Sequence, residues 1–444
     1  MHPTRVLAAF ASEVDCFKVE DSARDAVDRT IRNAVCLNVG AAEHPTVVRA
    51  REVHEHLGAM PRLSLLGRDQ RMGTIAAPLI NAMAVHVEDY DDTHLPTVVH
   101  PGAPIVPTAL AAAELWARSG AETVSAILAG VEVSLRVANA ICPEHYDRGW
   151  HLTGTAGHVG AAAAAGRLAA LPTGQFIAAL ALAATQAQGL QSVNGTETKA
   201  FHPGKAAADG LEAALLAARG FTAPTEPLVG RRGFATISAP RVDLDRMLDG
   251  LGHDWEIEDN AIKPYACGVV SHAAIDAAKE LRRRVGADAV AEVDVHIPEV
   301  VLQVMGIKDP QTELESKFSV YHCVAVALLD GDGSPRQFSD ERTVAGDVVD
   351  LRRRVHTTVD PSVAKGSAVV RALTHDGQEH TVEIVHATAS AERPMTDLEL
   401  DTKLRGLVEP RLGPGGGDRL LAACESLSSS EGVGELISAS HPAD

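Results

Sequence analysis

The sequence predicts a mainly α-helical fold, in which a large all-helical domain is discontinuous along the chain and a smaller α+β lid domain is inserted into it. Three observations predict this. From about Val19 to Gly220, apolar residues recur at three- and four-residue steps. After about residue 265, segments with period-two alternation appear among helical ones. The last stretch then returns to helical spacing. The predicted helical domain covers residues 1–265 and is completed by 405–444, and the predicted lid covers 266–404.

In chain order, Val19, Ala23, Ala26, Val27, Ile31, Ala34 and Val35 form the first apolar helix face. Ile75, Leu79, Ile80, Met83, Ala84 and Val87 form the next. Helical spacing continues through Glu122–Ala140, Gly160–Ala170, Gln175–Gln188 and Lys205–Arg219, with short breaks such as Leu171-Pro172-Thr173-Gly174. The many alanines on these faces allow helices to approach closely, and no fixed repeat period is present, so a compact bundle is expected rather than a solenoid. In the lid, Glu292–Ile297 alternates as a strand, and Ala368–Leu373 and Thr381–His386 flank an Asp376-Gly377 hairpin turn. Helices are expected around Ile275–Val285, Ser319–Leu329 and Val344–Arg353. Asp397–Leu407 and Asp418–Leu427 are the returning helices, with Pro410–Asp418 as the loop between them.

Composition narrows the function classes. The chain has 444 residues, 45% of them hydrophobic, and a net charge of −19, which excludes intrinsic disorder and argues against nucleic-acid or anionic-membrane surfaces. Aromatics are scarce, with 8 Phe, 3 Trp and 4 Tyr, so the core is aliphatic and Ala-rich. Six dispersed cysteines without a CxxC pair are expected to be reduced thiols in a cytoplasmic protein. The N-terminus has no signal-peptide apolar region, and the Ala/Gly-rich stretch His158–Leu171 is too short to span a bilayer. No P-loop, HExxH or GxSxG motif occurs, so no nucleotide cofactor, zinc or hydrolase serine is expected.

Five polar segments stand out against this background. Glu88-Asp89-Tyr90-Asp91-Asp92-Thr93-His94, followed by His100, closes an apolar helix, and an acidic helix end opposes the macrodipole. Solvated acids, a carboxylate–histidine metal site and an active-site wall are the three readings of it, of which the wall is preferred. Tyr146–Thr155 reads as a loop before a helix, with His151 and Thr153 placed to bind a carboxylate, or with Thr153 or Thr155 as a cap. Asn194–Lys205 reads as another such loop, and Lys199 and Lys205 are the only lysines between Lys18 and Lys263, which makes them an anchor for an anion. Ile262–His272 lies at the domain boundary, and Ser316–Cys323 carries Tyr321 and His322. All four tyrosines fall within these segments, which are assigned to an interdomain cleft.

The ordered segments DYDDTHLPTVVHPG, RGWHLTGTAGHVGAAAAAGRL, GTETKAFHPGKAAADGLEAALLAARGFTAP, KPYACGVVSHAAIDAA and KFSVYHCVAVALLDG resemble those of the MmgE/PrpD family. The resemblance implies a helical domain with an α+β lid, usually as a homodimer, and a cofactor-independent site between them. It also implies chemistry that forms or quenches a carbanion next to a carboxylate of a small polycarboxylate. By motif, the implied catalytic residues are Asp89, His100, His151, Lys199 and His272, and Thr93 is the implied substrate contact, with His94 beside His100 and Tyr321 and His322 in the KFS segment as further contacts. Residue type and position add Tyr146 as a further acid, and Thr153 and Lys205 as substrate contacts. No metal ligand is implied. Dehydration, decarboxylation and epimerisation are all compatible with this apparatus, and a lyase is preferred over an epimerase or a non-catalytic polycarboxylate-binding protein.

Overall fold

The computed structural model describes residues 2–442. Its helical part begins earlier than the apolar periodicity indicates. Pro3–Glu13 forms α1, with a proline in its first turn, where no intrahelical N–H bond is lost. There follow α2 (Asp21–Gly40), α3 (Pro45–His56), α4 (Ala76–His86), strand β1 (Asp92–His94), α5 (Gly102–Trp116), α6 (Gly120–Ile141), the short α7 (Glu144–Asp147), α8 (Leu152–Leu168), α9 (Thr173–Ala184) and α10 (Thr198–Ala218). Helix α8 lies at the centre and packs against α5, α6, α9 and α10. Every residue of α8 except Arg167 is buried, so the helix has no polar face. Small residues make this possible. A Cβ on Gly160 would fall 2.6 Å from the Gly130 carbonyl of α6, and one on Gly210 would fall 2.5 Å from the Ala161 Cβ.

Two segments expected as loops are helical. Helix α8 starts at Leu152 rather than near Gly160, and α10 starts at Thr198 rather than Lys205. The first turns of both carry His, Thr and Lys that face a polar site, so the apolar period begins later than the helix. In α10, Pro203-Gly204 also looks like a break, yet the helix continues through it. The longest apolar helix is α6 rather than the Ala-rich stretch. By length and composition α6 would suffice to cross a membrane, but its apolar stretch is fully buried here and carries the ion pair Glu132–Arg136 at 3.2 Å.

Strand β2 (Asn260–Ile262) pairs antiparallel with β1, Asp92 opposite Ile262. This pairing brings the chain entering the lid against the acidic segment. The lid contains α11 (His272–Val285), β3 (Val290–Ile297), α12 (Val320–Asp330), β4 (Val355–Val359), β5 (Ala368–Thr374) and β6 (Glu379–Ile384). Its sheet has the order β4-β3-β5-β6, with β3 and β4 parallel and the other pairs antiparallel. The β5–β6 hairpin turns at Asp376-Gly377, and Gly377 adopts φ +82°, as the expected turn requires. Strand β4 was not indicated by the sequence, because Val355-His356-Thr357-Thr358-Val359 lacks clean alternation.

The chain then returns as α13 (Asp397–Leu412) and α14 (Gly416–Glu425), and both pack on α2. Helix α13 begins with a capping box, Thr396 with Glu399. It inserts Lys403, buried, whose Nζ donates to the carbonyls of Tyr90 at 2.7 Å and Lys263 at 2.9 Å. One amino group thus clamps the backbone of the acidic segment to that of the domain boundary. All six cysteines are free thiols, five of them buried.

Candidate active site

Below the ends of α4, α8 and α10 lies a buried cluster of four imidazoles, two carboxylates and two lysines. The last turn of α4 supplies His86. Immediately after it, Asp89 adopts a left-handed φ of +49°, which an aspartate tolerates and which folds the chain back toward the helix ends. Lys199, in the first turn of α10, donates to Asp89 Oδ1 at 2.8 Å and to His86 Nε2 at 2.9 Å. Lys263, brought in by the β1–β2 pairing, donates to the same Asp89 oxygen at 2.9 Å and lies 3.7 Å from Asp91 Oδ1. Asp91 Oδ2 accepts from His86 Nδ1 at 2.6 Å. His86 therefore has both ring nitrogens occupied.

His100 is held differently. Its Nδ1 donates to the Asp92 carbonyl at 2.7 Å, with Thr93 Oγ1 at 3.0 Å, and its backbone N–H donates to Thr153 Oγ1 at 3.0 Å. A carbonyl can only accept, so the Nδ1 carries the proton and the Nε2 lone pair is bare. His151, the residue before α8, sets its Nδ1 2.9 Å from His202 Nδ1, and its buried Nε2 has no partner. The rings of His86, His100 and His151 form a triangle with centroid separations of 5.0, 5.5 and 6.1 Å.

Burial and charge set the protonation states. Burial works to raise Asp89, but the Lys199 and Lys263 ammonium groups outweigh it and hold the carboxyl well below its ordinary range. Burial likewise opposes ionisation of Asp91, and the His86 and His100 rings, with the hydrogen bond from His86 and the charge of Lys263, outweigh it, so Asp91 also stays ionised. Burial pushes His100 down to about 3, helped by Lys263, and pushes His151 well below the usual histidine value, helped by Lys199. Lys199 is itself lowered by burial, against the pull of Asp89, while Lys263 is raised, because Asp89 and Asp91 outweigh its burial. The resting site is therefore two carboxylates balanced by two ammonium groups, surrounded by neutral imidazoles. Asp92 stands apart. Its carboxyl accepts from the Gly102 N–H at the start of α5 and from Asn260 Nδ2, and burial, followed by the charge of Asp91, raises it to about 7.

The structure thus brings together Asp89, Thr93, His100, His151, Thr153 and Lys199 from three separate segments. Tyr146 is close enough to feel the Asp89 charge, after the larger effects of burial and Asp147 on its hydroxyl. Thr153 and Thr155 do not cap α8, because its N-cap, His151, makes no side-chain cap bond. Thr153 instead tethers His100, and Thr155 meets His145. His272, the first residue of α11, packs edge-on against Tyr265 at 5.4 Å with a buried, unpartnered Nε2, on the lid side of the boundary.

Four other candidates point elsewhere. His94 bonds Thr97 and faces Glu256 at 3.3 Å, because the alternation of β1 turns it away from His100. Lys205, partly exposed, pairs with Asp209 on its own helix at 2.7 Å, since six residues along α10 place it on a different face from Lys199. The Tyr321 hydroxyl shares a hydrogen bond with that of Thr357 of β4 at 2.9 Å, and the ring lines a groove with Lys308 and His356, so not every tyrosine lies on the cleft. His322 Nε2 bonds the Gln337 carbonyl at 2.9 Å inside the lid.

Sequence reading missed His86, Asp91, Lys263, His202 and Lys317 as individual site residues. The available signal was helical spacing. His202 is one turn from Lys199, and His86 is on the last turn before Asp89. Lys317, fully buried, reaches from the lid to Glu88 Oε2 at 2.8 Å and Glu313 at 3.4 Å, and Phe318 beside it covers the Lys199 ammonium with its ring at 5.5 Å. Between these and His86, Asp89 and Thr196 remains a cavity of about 10 Å³. The much larger cleft of about 1040 Å³ between the domains, lined by Glu88, Tyr90, Tyr265 and Lys403, does not contain the imidazoles, and Glu88–Lys317 pairs across from its wall to that of the small cavity. Asp89, Asp91 and His100 have the donor types for a metal ion, but the cation between the two carboxylates is the Lys263 ammonium, and His100 Nδ1 is committed as a donor.

Comparison with known proteins identifies the family of the chain. The family model for the MmgE/PrpD N-terminal domain matches residues 5–246, and that for the MmgE/PrpD C-terminal domain matches residues 265–428. The chain belongs to the MmgE/PrpD family. Among its relatives are cis-aconitate decarboxylase of Aspergillus terreus, 27% identical over 374 residues covering 77% of this chain and 76% of the relative, and that of Homo sapiens, 28% identical over 309 residues covering 66% and 63%. A cis-aconitate decarboxylase-like protein of Aspergillus oryzae is 27% identical over 408 residues, 84% of each chain. In coarse terms, this places the chain among enzymes of lyase or isomerase type acting on small carboxylic acids. In this MmgE/PrpD protein the imidazole cluster lies in the N-terminal domain, His272 and Lys317 lie in the C-terminal domain, and Lys263 lies in the segment between the two matches.

Proposed function

We propose that the protein is a cofactor-independent lyase that decarboxylates a small unsaturated di- or tricarboxylate of the cis-aconitate class. The observation that carries this reading is a pair of imidazole nitrogens left without a hydrogen-bond partner, the buried Nε2 of His151 and the Nε2 of His100, in a cluster with Lys199 and Lys263. The names of the relatives favour decarboxylation within that chemistry.

In the reaction, the bond between carbon and the departing carboxylate breaks and CO₂ leaves. The electron pair forms a new double bond to the neighbouring carbon, the pair of the original double bond shifts to the far carbon, and that carbon takes a proton. Negative charge developing on the remaining carboxylates is stabilised by the ammonium groups, which in a water-excluded site are worth roughly 3–4 kcal/mol per contact. The cavity beside Lys199 is too small for such a substrate, so a substrate carboxylate reaches Lys199 only when the lid lifts Lys317 and Phe318.

The 6.1 Å separation of the His100 and His151 rings favours a second reading, two-base epimerisation of a dicarboxylate. Incubation in deuterated water followed by NMR separates the two. CO₂ release from cis-aconitate with one deuterium incorporated per product supports the decarboxylase. Exchange of an α-hydrogen of iminodisuccinate without net loss supports the epimerase. If neither compound reacts, both readings fail.

A further inference from the structure

Decarboxylation consumes a proton each turnover: R–CO₂⁻ + H⁺ gives R–H + CO₂. Lys199 and Lys263 are held on Asp89 by hydrogen bonds, which leaves the imidazoles to supply that proton while Phe318 and Lys317 are closed over Lys199. His100 Nδ1 is bonded to a carbonyl, which has no proton to pass on, and His86 is occupied at both nitrogens. His151 differs, because its second nitrogen faces another titratable ring, His202, at 2.9 Å. Two ring nitrogens at that distance cannot both carry a proton or both lack one, so they share one.

Burial disfavours the imidazolium form of His151. A neutral imidazole is a very weak acid unless its other nitrogen gains a proton as the first is lost. His202 is placed to provide that proton. It keeps 6% of its surface exposed, beside the exposed Phe201, and its Nε2 makes no hydrogen bond among the described residues. Gly189 leaves room for the ring, since a Cβ there would stand 3.2 Å from His202 Nδ1.

We infer that His202 is a positioning residue that relays protons from solvent to His151, an inference resting on the decarboxylase reading above. A proton binds His202 Nε2, the proton on His202 Nδ1 passes to His151 Nδ1, and His151 Nε2 gives its proton to the substrate carbon. Both rings end neutral with exchanged tautomers. When the lid opens, His151 Nε2 takes a proton from water, its Nδ1 proton returns to His202, and His202 Nε2 releases one to solvent. The titratable groups around His202 are His151 and His158 on α8, His86 on α4 and Lys199 on its own helix.

The test uses the whole enzyme with cis-aconitate and two variants. His202→Gln preserves a donor to His151 but cannot relay, and is expected to lower kcat at least tenfold with KM within twofold. His202→Ala is expected to show the same loss and to recover when imidazole is added. A wild-type kcat in His202→Gln, or a loss with rising KM that imidazole does not reverse, overturns the relay. Nitrogen NMR of the substrate-free protein gives an independent reading. A coupling across the His151–His202 hydrogen bond, lost in His202→Gln, supports the shared proton, and its absence from the wild type overturns it. If wild-type enzyme leaves cis-aconitate unchanged, the decarboxylase reading fails, while the NMR result still decides the proton-sharing pair.

Discussion

The helical wall of the site and the lid that covers it are built on opposite principles. On the wall, His86, Asp89, Asp91, Lys199 and Lys263 are buried and bonded to one another, and His100 and His151 are held by Asp92, Thr153 and His202, around helix ends brought together by the close α8–α10 and α4–α10 packing. In the lid, the polar residues of α12 turn inward, Tyr321 to β4 and His322 to the Gln337 carbonyl, and the reach across the boundary is made by Lys317, with Phe318 as a cover. On the function proposed above, the reactive groups stand on closely packed helix ends, and the element that lifts for entry carries closure. A site held this way keeps its geometry while the lid opens.

The largest effect that would break this comparison is on turnover. Lys199→Ala is expected to lower kcat/KM roughly 10²–10³-fold, the scale of one preorganised electrostatic contact, whereas Tyr321→Phe and His322→Asn leave it near wild type. Steady-state kinetics on the three variants decides it, and equal losses in wall and lid would erase the distinction.

Acid stability comes next. His100 and His202 have folded values pushed down to about 3 and about 4, chiefly by burial, so an unfolded chain takes up protons below its own value near ~6.5 while the folded chain does not. Their contribution makes stability fall as pH drops from about 6.5 toward these values. Asp92 and Glu132, each raised to about 7 by burial, act with the opposite sign over about pH 4–7. With His86 and His151 also lowered, the histidines prevail, and urea midpoints measured from pH 7 to pH 4 should decline. His202→Gln should flatten the decline.

A smaller effect tests the anchoring of the wall. In Gly102→Ala the new Cβ would lie 2.8 and 2.9 Å from the Asp92 carboxylate oxygens and disturb their bonds to the start of α5. A loss of about 1–3 kcal/mol in denaturant titration is expected, as for a buried acceptor left short of its donor. The smallest effect sharpens the role of the lid. Lys317→Met removes the latch to Glu88 and should raise KM about tenfold while changing kcat less, since closure rather than chemistry is weakened.

Much of this was legible in advance. The alternation of Glu292–Ile297 and the Asp376-Gly377 turn marked the lid sheet, and the clustering of acids at 88–92 marked the wall. The starts of α8 and α10 were not legible, because a helix end that faces a polar site has no apolar period to show. His94 and His100 are equally good histidines in the sequence, and the β1 alternation, together with the strained turn at Val98 (φ +54°), separates them in space. Lys205 and Lys199 look equivalent for the same reason, until the 3.6-residue turn of α10 puts them on different faces.

By itself, the sequence determined the fold class, the return of the chain to its first domain, and the five segments that carry polar chemistry, because these follow from local periodicity and residue type. The tertiary structure alone decided which groups meet. Lys263 reaches Asp89 through a strand pairing between residues some 170 positions apart, His202 reaches His151 through the crossing of α10 over α8, and Lys317 reaches Glu88 only when the lid docks. Protonation states belong to this second kind of information. They are set by burial and by neighbouring charges, and neither quantity exists until distant parts of the chain are brought together.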